Sequence, residues 1–561
     1  MADMRERSMD RRTLVAGALA AGALGMLSAC TSLDGAQGSD EVTVEQPFTA
    51  GIVRPRSIDP FDAVDDGGLT VARQLFEPLC AFAYGTGELT CRAASSYEVS
   101  EDARTFTFHL RPATFHNGDA VTSADFKRAW ERLVDPDAAV AKERGASPHA
   151  YHLSLVEGYD ELLAGDAREL AGISCPDDAT LVVTLAAPYA DFPAVTTHPA
   201  LAPVPALATE DPEAFATRPV GNGPFRLEGD WTADVGSLSL ARFDAHFDPA
   251  ADLARVVLRL EADTDAAYQD FQTGELDASP CPVNEASEAA SSHGRSEDGR
   301  TMTLGQHFVC GPALATYCLV CNTAAGPCAD AAVRQALSLA IDRTYLAETV
   351  FRGTRLAADG IIPPPVPGYR LGAWAYAAFD RERAAAQLES SYPLGTDDMR
   401  PLSVRLMYLA GGGHDDVMDA VAGDFERLGV ACVPEAEDLE TFQARFDAGD
   451  FDLVRLDCTA EVPVAERLLF PWFHSSSREG ANRSGLADAQ IDEQLDAVRS
   501  TVDAAARVAL IEDVDAEIGR RCPAIPLVFH AQCQVGSDRV AYLTVDPAGQ
   551  VDFAGAELEE R

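Results

Sequence analysis

Apolar and polar positions along this chain alternate with a period of two in short runs and of about 3.6 in longer ones, which predicts a mixture of strands and amphipathic helices. The clearest succession runs from Thr105 to Pro136. Thr105–Leu110 alternates and predicts a strand. His116-Asn117-Gly118-Asp119 predicts a tight reversal, with Gly118 supplying a positive φ. Thr122 or Ser123 then caps a helix over about Ala124–Leu133, with Phe126, Trp130 and Leu133 on one face and Pro136 ending the run. Elsewhere, Phe48–Val53, Thr180–Leu185 and Cys318–Asn322 predict strands. Leu69–Leu79 and Ala329–Arg343 predict helices, the second with Val333, Leu337 and Ala340 as its core face. From Leu402 the order is strand, helix, strand, helix, strand. Val404–Leu409 and Phe451–Leu456 are short apolar runs of the kind buried in a parallel sheet, with a helix over Val417–Leu428 between them and another over Val502–Ile518. The fold class this order predicts is α/β.

A chain of 561 residues has room for two or three cores. After the N-terminus no apolar run approaches ~20 residues, so no membrane-spanning helix is expected there. The formal charge of −45 disfavours nucleic acid as a partner and docking on anionic lipid by charge. Acidic residues are scattered, as on a solvated acidic surface.

Residues 1–29 have the order of an export signal: Arg5, Arg7, Arg11 and Arg12, then the Ala/Gly-rich apolar run Leu14–Met26, then Leu27-Ser28-Ala29 before Cys30. This resembles the bacterial lipobox, which implies cleavage before Cys30 and lipidation of its thiol; several acyl chains would anchor the protein stably. Arg11-Arg12-Thr13-Leu14 leaves Sec and twin-arginine export both open. Residues 30–45 read as a flexible tether. Of thirteen cysteines, the twelve besides Cys30 suit disulfides in an oxidising compartment. Cys80 with Cys91, and Cys522 with Cys533, are close enough in sequence to bridge short loops. Cys318 and Cys321 form a C-x-x-C, but three residues apart in a strand they point to opposite faces, which disfavours a redox or zinc role.

The Thr105–Pro136 stretch resembles the "strand, HLR, FHDG, T-x-x-D-F, helix, DP" segment of the family 5 solute-binding proteins, the peptide-binding receptors of ABC importers. Further landmarks follow in order: Ser57-Ile58-Asp59-Pro60, the LFEPL run ending at Leu79, Val220-Gly221-Asn222-Gly223-Pro224-Phe225, Phe271 to Asp277, Ala329 to Arg343, and Cys522-Pro523-Ala524-Ile525-Pro526-Leu527. The resemblance covers roughly residues 48–545. It implies a two-lobed type II periplasmic-binding-protein fold (a Venus flytrap) with an extra subdomain in the first lobe. The first lobe would comprise 46–90 with 195–313 and 522–561, the extra subdomain 91–194, and the second lobe 314–521. Closure would hinge at crossovers near 313 and 522. The partners implied are a peptide ligand, the permease and ATPase subunits of an importer, and the membrane through the lipid on Cys30. No cofactor or metal is implied.

In α/β lobes ligands bind beyond the carboxyl ends of strands, which directs attention to Gly411–His414 and Arg455–Glu461. The resemblance implies roles for these. Glu461 stands where the family's last strand motif has the Asp that pairs with a peptide α-ammonium. Arg455, and His414 six residues after Tyr408, stand where cations meet the peptide carboxylate. Arg445 is a further candidate for that end. Cys458 occupies the place of a Trp that walls a side-chain pocket, Asp457 replaces a Gly, and Leu439 stands for a second Trp. Charge-assisted hydrogen bonds at both ends of a zwitterion would be strong where water is excluded. Arg455 also has Asp452 and Asp457 to hand as partners within the chain. Phe529 and His530 are further candidates to line the cleft.

No H-E-x-x-H, G-x-S-x-G or P-loop lysine occurs, and the only lysines are Lys127 and Lys142. The expectation is a receptor and not an enzyme. A non-peptide solute (a sugar, a metal chelate or a haem-like molecule) is the alternative ligand, and a sensor or adhesin lipoprotein the alternative class.

Overall fold

An eleven-stranded sheet runs through the protein. The computed structural model describes residues 46–249 and 251–559, so the expectations for the signal, Cys30 and the tether lie outside the described residues. The strand order is Ala431–Glu437, Ser403–Leu409, Leu453–Thr459, Phe308–Cys321, Ala524–Gly536, Ala278–Pro280, Phe48–Val53, Arg255–Glu261, Ser237–Arg242 and Phe225–Glu228, with Leu356–Ala357 pairing off this path onto Ala524–Gly536. Ser403–Leu409 is parallel to both of its neighbours, as its apolar run predicts. The two long strands at the centre are antiparallel. Their pairing breaks between Pro312↔Ala531 and Thr316↔Phe529. Sequence marked only Cys318–Asn322 as strand, because Gly311, Pro312 and the alanines that follow interrupt the alternation. Its long partner pairs with it up to Pro312 and again from Thr316, and Leu453–Thr459 pairs with it from Ala315 on.

Hydrophobic cores lie on both sides of that break. One is built from residues between Phe48 and Leu260 together with Met302, Val309 and Val540–Ala556. Two others flank the sheet beyond the break. Tyr317, Leu319, Val404, Leu406, Tyr408 and Leu453 face one, while Cys318, Val320, Met407, Val454 and Cys458 face the other. This is the period of two expressed in three strands at once. Cys318 and Cys321 accordingly enter different cores. Residues from Pro47 on form one compact unit.

A separate four-stranded sheet, ordered Ala94–Val99, Thr105–Leu110, Thr180–Thr184, Ile173–Asp177, carries the helix Ser123–Val134. Thr122 caps that helix in a reciprocal capping box with Asp125, and Phe126, Trp130 and Leu133 are buried. Arg132 on its far turn donates to both carboxylate oxygens of the fully buried Asp59, at 2.8 and 2.6 Å. The Ser57–Pro60 turn is thereby tied to the helix. The Gly221-Asn222-Gly223 segment lies against Gln74–Glu77. A Cβ on Gly221 would come within 1.9 Å of the Leu75 carbonyl oxygen, so these glycines serve close backbone approach. Asn222 accepts from the Glu77 N–H at 2.9 Å and donates to its carbonyl at 3.0 Å.

The helix expected over Leu69–Leu79 is Asp66–Leu75. Asp65 accepts from the Gly68 N–H and starts the helix early, despite two glycines in its first turn. The helix expected over Ala329–Arg343 ends at Ala340, where Ile341 turns extended. Arg343 is buried beyond it, donating to the carbonyls of Pro526 and Ser338 at 2.6 and 2.9 Å. Among the described residues the disulfide is Cys310–Cys533, joining the two long strands at directly opposed positions. Cys522 is free and buried at the end of the helix Ala504–Arg521, so the bridge from Cys522 to Cys533 does not form. Cys80 and Cys91 oppose one another in a short hairpin as free thiols.

Candidate functional site

A cleft of about 680 Å³ opens at the carboxyl end of Phe48–Val53. Ala50–Val53, Asp66, Asp265, Ser279–Asn284 and Gln532 line it from one side. Asp457 and Thr459, at the carboxyl end of Leu453–Thr459, reach it from the other, with His530 between. The volume lies within the range of about 300–1,000 Å³ usual for small-ligand sites. Its position beyond strand ends is where open α/β sheets bind ligands.

The alternation of Leu453–Thr459 decides which side chains face outward. Val454 and Cys458 point into the core with Met407 and Phe451, whereas Arg455 and Asp457 share the opposite face. Cys458 is fully buried and does not wall a pocket; its parity is that of the core residue Val454. Arg455 donates from one nitrogen to both oxygens of Asp457, at 2.7 Å each. Its guanidinium carbon lies 4.0 Å from the Tyr317 ring centroid, a close cation–π contact. The Arg455 Nε is buried without a hydrogen-bond partner among the described residues. His530 completes the group, its Nε2 2.7 Å from Asp457. Burial alone would raise the Asp457 carboxyl, but the His530 hydrogen bond and the Arg455 charge hold it below the usual carboxylate range.

His414 joins this group, its Nδ1 3.0 Å from the Tyr317 hydroxyl. Burial and then the Arg455 charge push His414 down, favouring the neutral ring, and burial pushes the Tyr317 hydroxyl up to about 12. Arg355 stacks over Phe351 with 4.1 Å to the ring centroid. Its Nε and one Nη are buried and unpartnered among the described residues, and burial holds its pKa below the ordinary value.

Glu461 lies elsewhere. Its half-exposed carboxylate is 3.5 Å from His152 Nε2, facing the segment Tyr151–His152. Burial and then the Glu461 charge push the Tyr151 hydroxyl upward. Arg445 joins neither group. It sits on the helix Leu439–Ala448 and is engaged by Glu435 at 2.6 Å, by Glu437, and by Asp450 at 3.3 Å. Glu435 and Glu437 alternate onto one face of their strand and meet it there, so Arg445 has no free charge for a ligand.

The structure thus brings Arg455 and His414 together around Tyr317 and leaves Arg445 and Cys458 out. Sequence reasoning missed Tyr317 and Arg355. Tyr317 is placed by its strand register opposite Asp457, a pairing between residues 140 positions apart that no local pattern reveals. Arg355 lies in an irregular stretch after the π-helical turn Leu346–Val350.

The fold is that of the type II periplasmic binding proteins. The family described as bacterial extracellular solute-binding proteins, family 5 (middle region), matches residues 88–480, well over half the chain, and the chain belongs to that family. The dipeptide-binding protein DppE of Bacillus subtilis (strain 168) is 25% identical over 476 residues, 83% of each chain. The unliganded open form of MppA, a periplasmic murein tripeptide binding protein, superposes with a TM-score of 0.79 at 23% identity over 92% of this chain and 98% of that one. NikA of Brucella suis, in complex with Fe(III)-EDTA, superposes at 0.73 with 20% identity over 92% and 100%. The family is one of solute-binding proteins. Among the described residues no helix is long and apolar enough to cross a membrane.

Proposed function

We propose that this protein is the substrate-binding lipoprotein of an ABC importer, held at the outer face of the cell membrane through Cys30, and that it captures peptides between its two lobes for delivery to the permease. The observation that carries the reading is the cleft at the strand ends, with a group of cationic and aromatic side chains behind its Asp457 edge. Within that group Arg455 is neutralised by Asp457, and Arg355 is the cation with no carboxylate partner among the described residues. Arg355 therefore joins Arg455 and His414 as a candidate for a ligand carboxylate, with Glu461 as the candidate for its ammonium. Ligand affinity for the closed arrangement drives closure, and the break in pairing near Pro312 and Ala531 is the natural hinge. Calorimetric titration with a tripeptide and with its N-acetylated form tests the reading. Binding of the free peptide and at least about tenfold loss on acetylation support it, that factor corresponding to about 1.4 kcal/mol. Equal binding, or none by either, contradicts it.

A second reading keeps the fold and changes the ligand. Asp457 places a carboxylate in the cleft on the side opposite Asp66 and Asp265, and three lining carboxylates favour a solute carrying positive charge, a metal chelate among them, over one that presents only a carboxylate there.

A further inference from the structure

Two cysteines oppose one another in the hairpin formed by Cys80–Phe82 and Leu89–Cys91. Cys80 pairs with Cys91, and Phe82 with Leu89. The Arg92 N–H donates to the Leu79 carbonyl at 2.8 Å and the Ala83 N–H to the Glu88 carbonyl at 2.9 Å, so the ladder bonds fall on those alternate pairs. Cys80 and Cys91 therefore form a non-hydrogen-bonded pair, the kind whose Cα atoms approach to about 4.5 Å. A disulfide spans about 4.4–6.8 Å between Cα atoms, so a bridge here needs little backbone movement. Cys310 and Cys533 are likewise joined across opposed strand positions.

The two thiols are not equivalent. Cys80 is fully buried, in the core that also holds Phe76 and Leu79. Cys91 is half-buried and lines a second cavity, of about 530 Å³, together with Arg92 and Arg111. The hydrogen bond from the Cys80 thiol, and then the Arg111 charge, hold Cys91 below the ordinary thiol value, while the same bond and burial push Cys80 up. Burial pushes the thiols of Cys281, Cys318, Cys432 and Cys458 up as well. Cysteines packed only as small apolar residues are inert. Here one sulfur is reachable with a cation beside it, and the second stands directly behind the first.

We propose that Cys80 and Cys91 are a reversible dithiol–disulfide couple, oxidised by exchange with an external disulfide that enters at Cys91. The Cys91 thiolate attacks one sulfur of that disulfide. A mixed disulfide forms, and the other half leaves and takes up the proton that Cys91 gave to the medium. Cys80 then gives up its own proton and attacks the Cys91 sulfur. The Cys80–Cys91 bond forms, the mixed bond breaks, and the second half leaves as a thiol. Two electrons pass from the protein to the external disulfide, which becomes two thiols, and an external dithiol reverses the sequence. Phe82 and Leu89 lie on the same hairpin face as the two sulfurs and pack against Val462 and Val464. The bridge thus stiffens the hairpin where it supports the segment after Glu461. No residue of the couple serves in the peptide reading, so the two stand or fall separately.

The full-length protein, reduced and freed of reductant, is incubated in its folded state with oxidised glutathione, then denatured, alkylated and mapped by mass spectrometry. The parent is expected to yield peptides joined through Cys80 and Cys91, with no lasting glutathione on either. Dithiothreitol applied to the folded protein is expected to open that bridge. Cys80→Ser is expected to retain one glutathione on Cys91, and Cys91→Ser to leave Cys80 unmodified. In the reduced parent, which carries no substitution, iodoacetamide is expected to reach Cys91 before Cys80, with a pH midpoint below the ~8.5 of a free thiol. A lasting adduct on Cys91 of the parent, both thiols left unreacted, a bridge from either cysteine to a different partner, a bridge that dithiothreitol cannot open in the folded protein, or alkylation of Cys80 first would each overturn the proposal.

Discussion

Arg455 lies over the ring of Tyr317, with 4.0 Å between guanidinium carbon and ring centroid, and the aromatic face fixes where its charge points. That direction is toward Asp457, which takes both hydrogen bonds from one guanidinium nitrogen. A residue positioned by the family pattern as a ligand contact is thus engaged within the chain by the acid standing where the pattern has glycine.

Asp457→Asn should release Arg455. Binding of a ligand that presents a carboxylate is expected to strengthen by about tenfold, since a charge-assisted bond to the ligand replaces one within the protein. Calorimetric comparison with the parent protein reads this directly. Weaker binding would mean that Asp457 itself holds the ligand.

Glu461→Gln should weaken a peptide ligand through its α-ammonium, by about 1.5–3 kcal/mol for a lost charged hydrogen bond. A peptide lacking the free amine should bind both proteins alike. Unchanged affinity for the free peptide would remove Glu461 from the site and leave it only its neighbour His152.

Arg132→Met leaves the carboxylate of Asp59 buried, with Arg144 at 3.2 Å as its remaining charged partner beside the Phe61 N–H. The expected loss is about 3–5 kcal/mol in denaturant unfolding, less whatever Arg144 recovers. The double change Asp59→Leu with Arg132→Met should recover much of it, because no unpaired charge is left behind.

Asp515 governs part of the pH response of stability. It is fully buried, and burial pushes its carboxyl up to about 7 although the Trp374 indole donates to it at 2.8 Å. In the unfolded chain the same group titrates near ~3.9. Between those values the folded protein holds a proton that the unfolded chain has lost, so stability falls as pH rises from about 4 to about 7 and is level beyond. Asp515→Asn, which has no charge to bury, should flatten that slope and unfold at higher denaturant than the parent at pH 8. A parallel pH profile for the two proteins would show that Asp515 does not titrate there.

Much of the fold was legible because local chemistry and global placement agree. Thr122 and Asp125 mark a helix start, and the strand alternation at Thr105–Leu110 survives in the structure. Ser57–Pro60 and the turn around Asn222 carried a family pattern whose physical reasons, the Arg132 pair and the close approach to Leu75, needed the three-dimensional contacts. The candidate site was legible in part. Arg455, His414 and His530 converge, whereas Cys458 lies in the core because a strand turns alternate residues inward, and Arg445 is taken up by Glu435 and Glu437 of a neighbouring strand and by Asp450 just past its own helix. Tyr317 and Arg355 depend on contacts between residues far apart in sequence, which periodicity does not encode. The disulfide shows the same limit. Cys533 has a near neighbour in sequence, Cys522, but strand register sets it opposite Cys310.

The central claim, that the cleft holds peptides, is tested most directly by native mass spectrometry of the full-length protein, followed by denaturation and identification of whatever small molecule is released. The account predicts a ladder of masses that fragment as peptides of about two to five residues, a size that suits a cleft in the usual small-ligand range. A single non-peptide mass would contradict the peptide assignment while leaving the fold intact, and the carboxylate of Asp457 would then be the feature from which to reconsider the ligand.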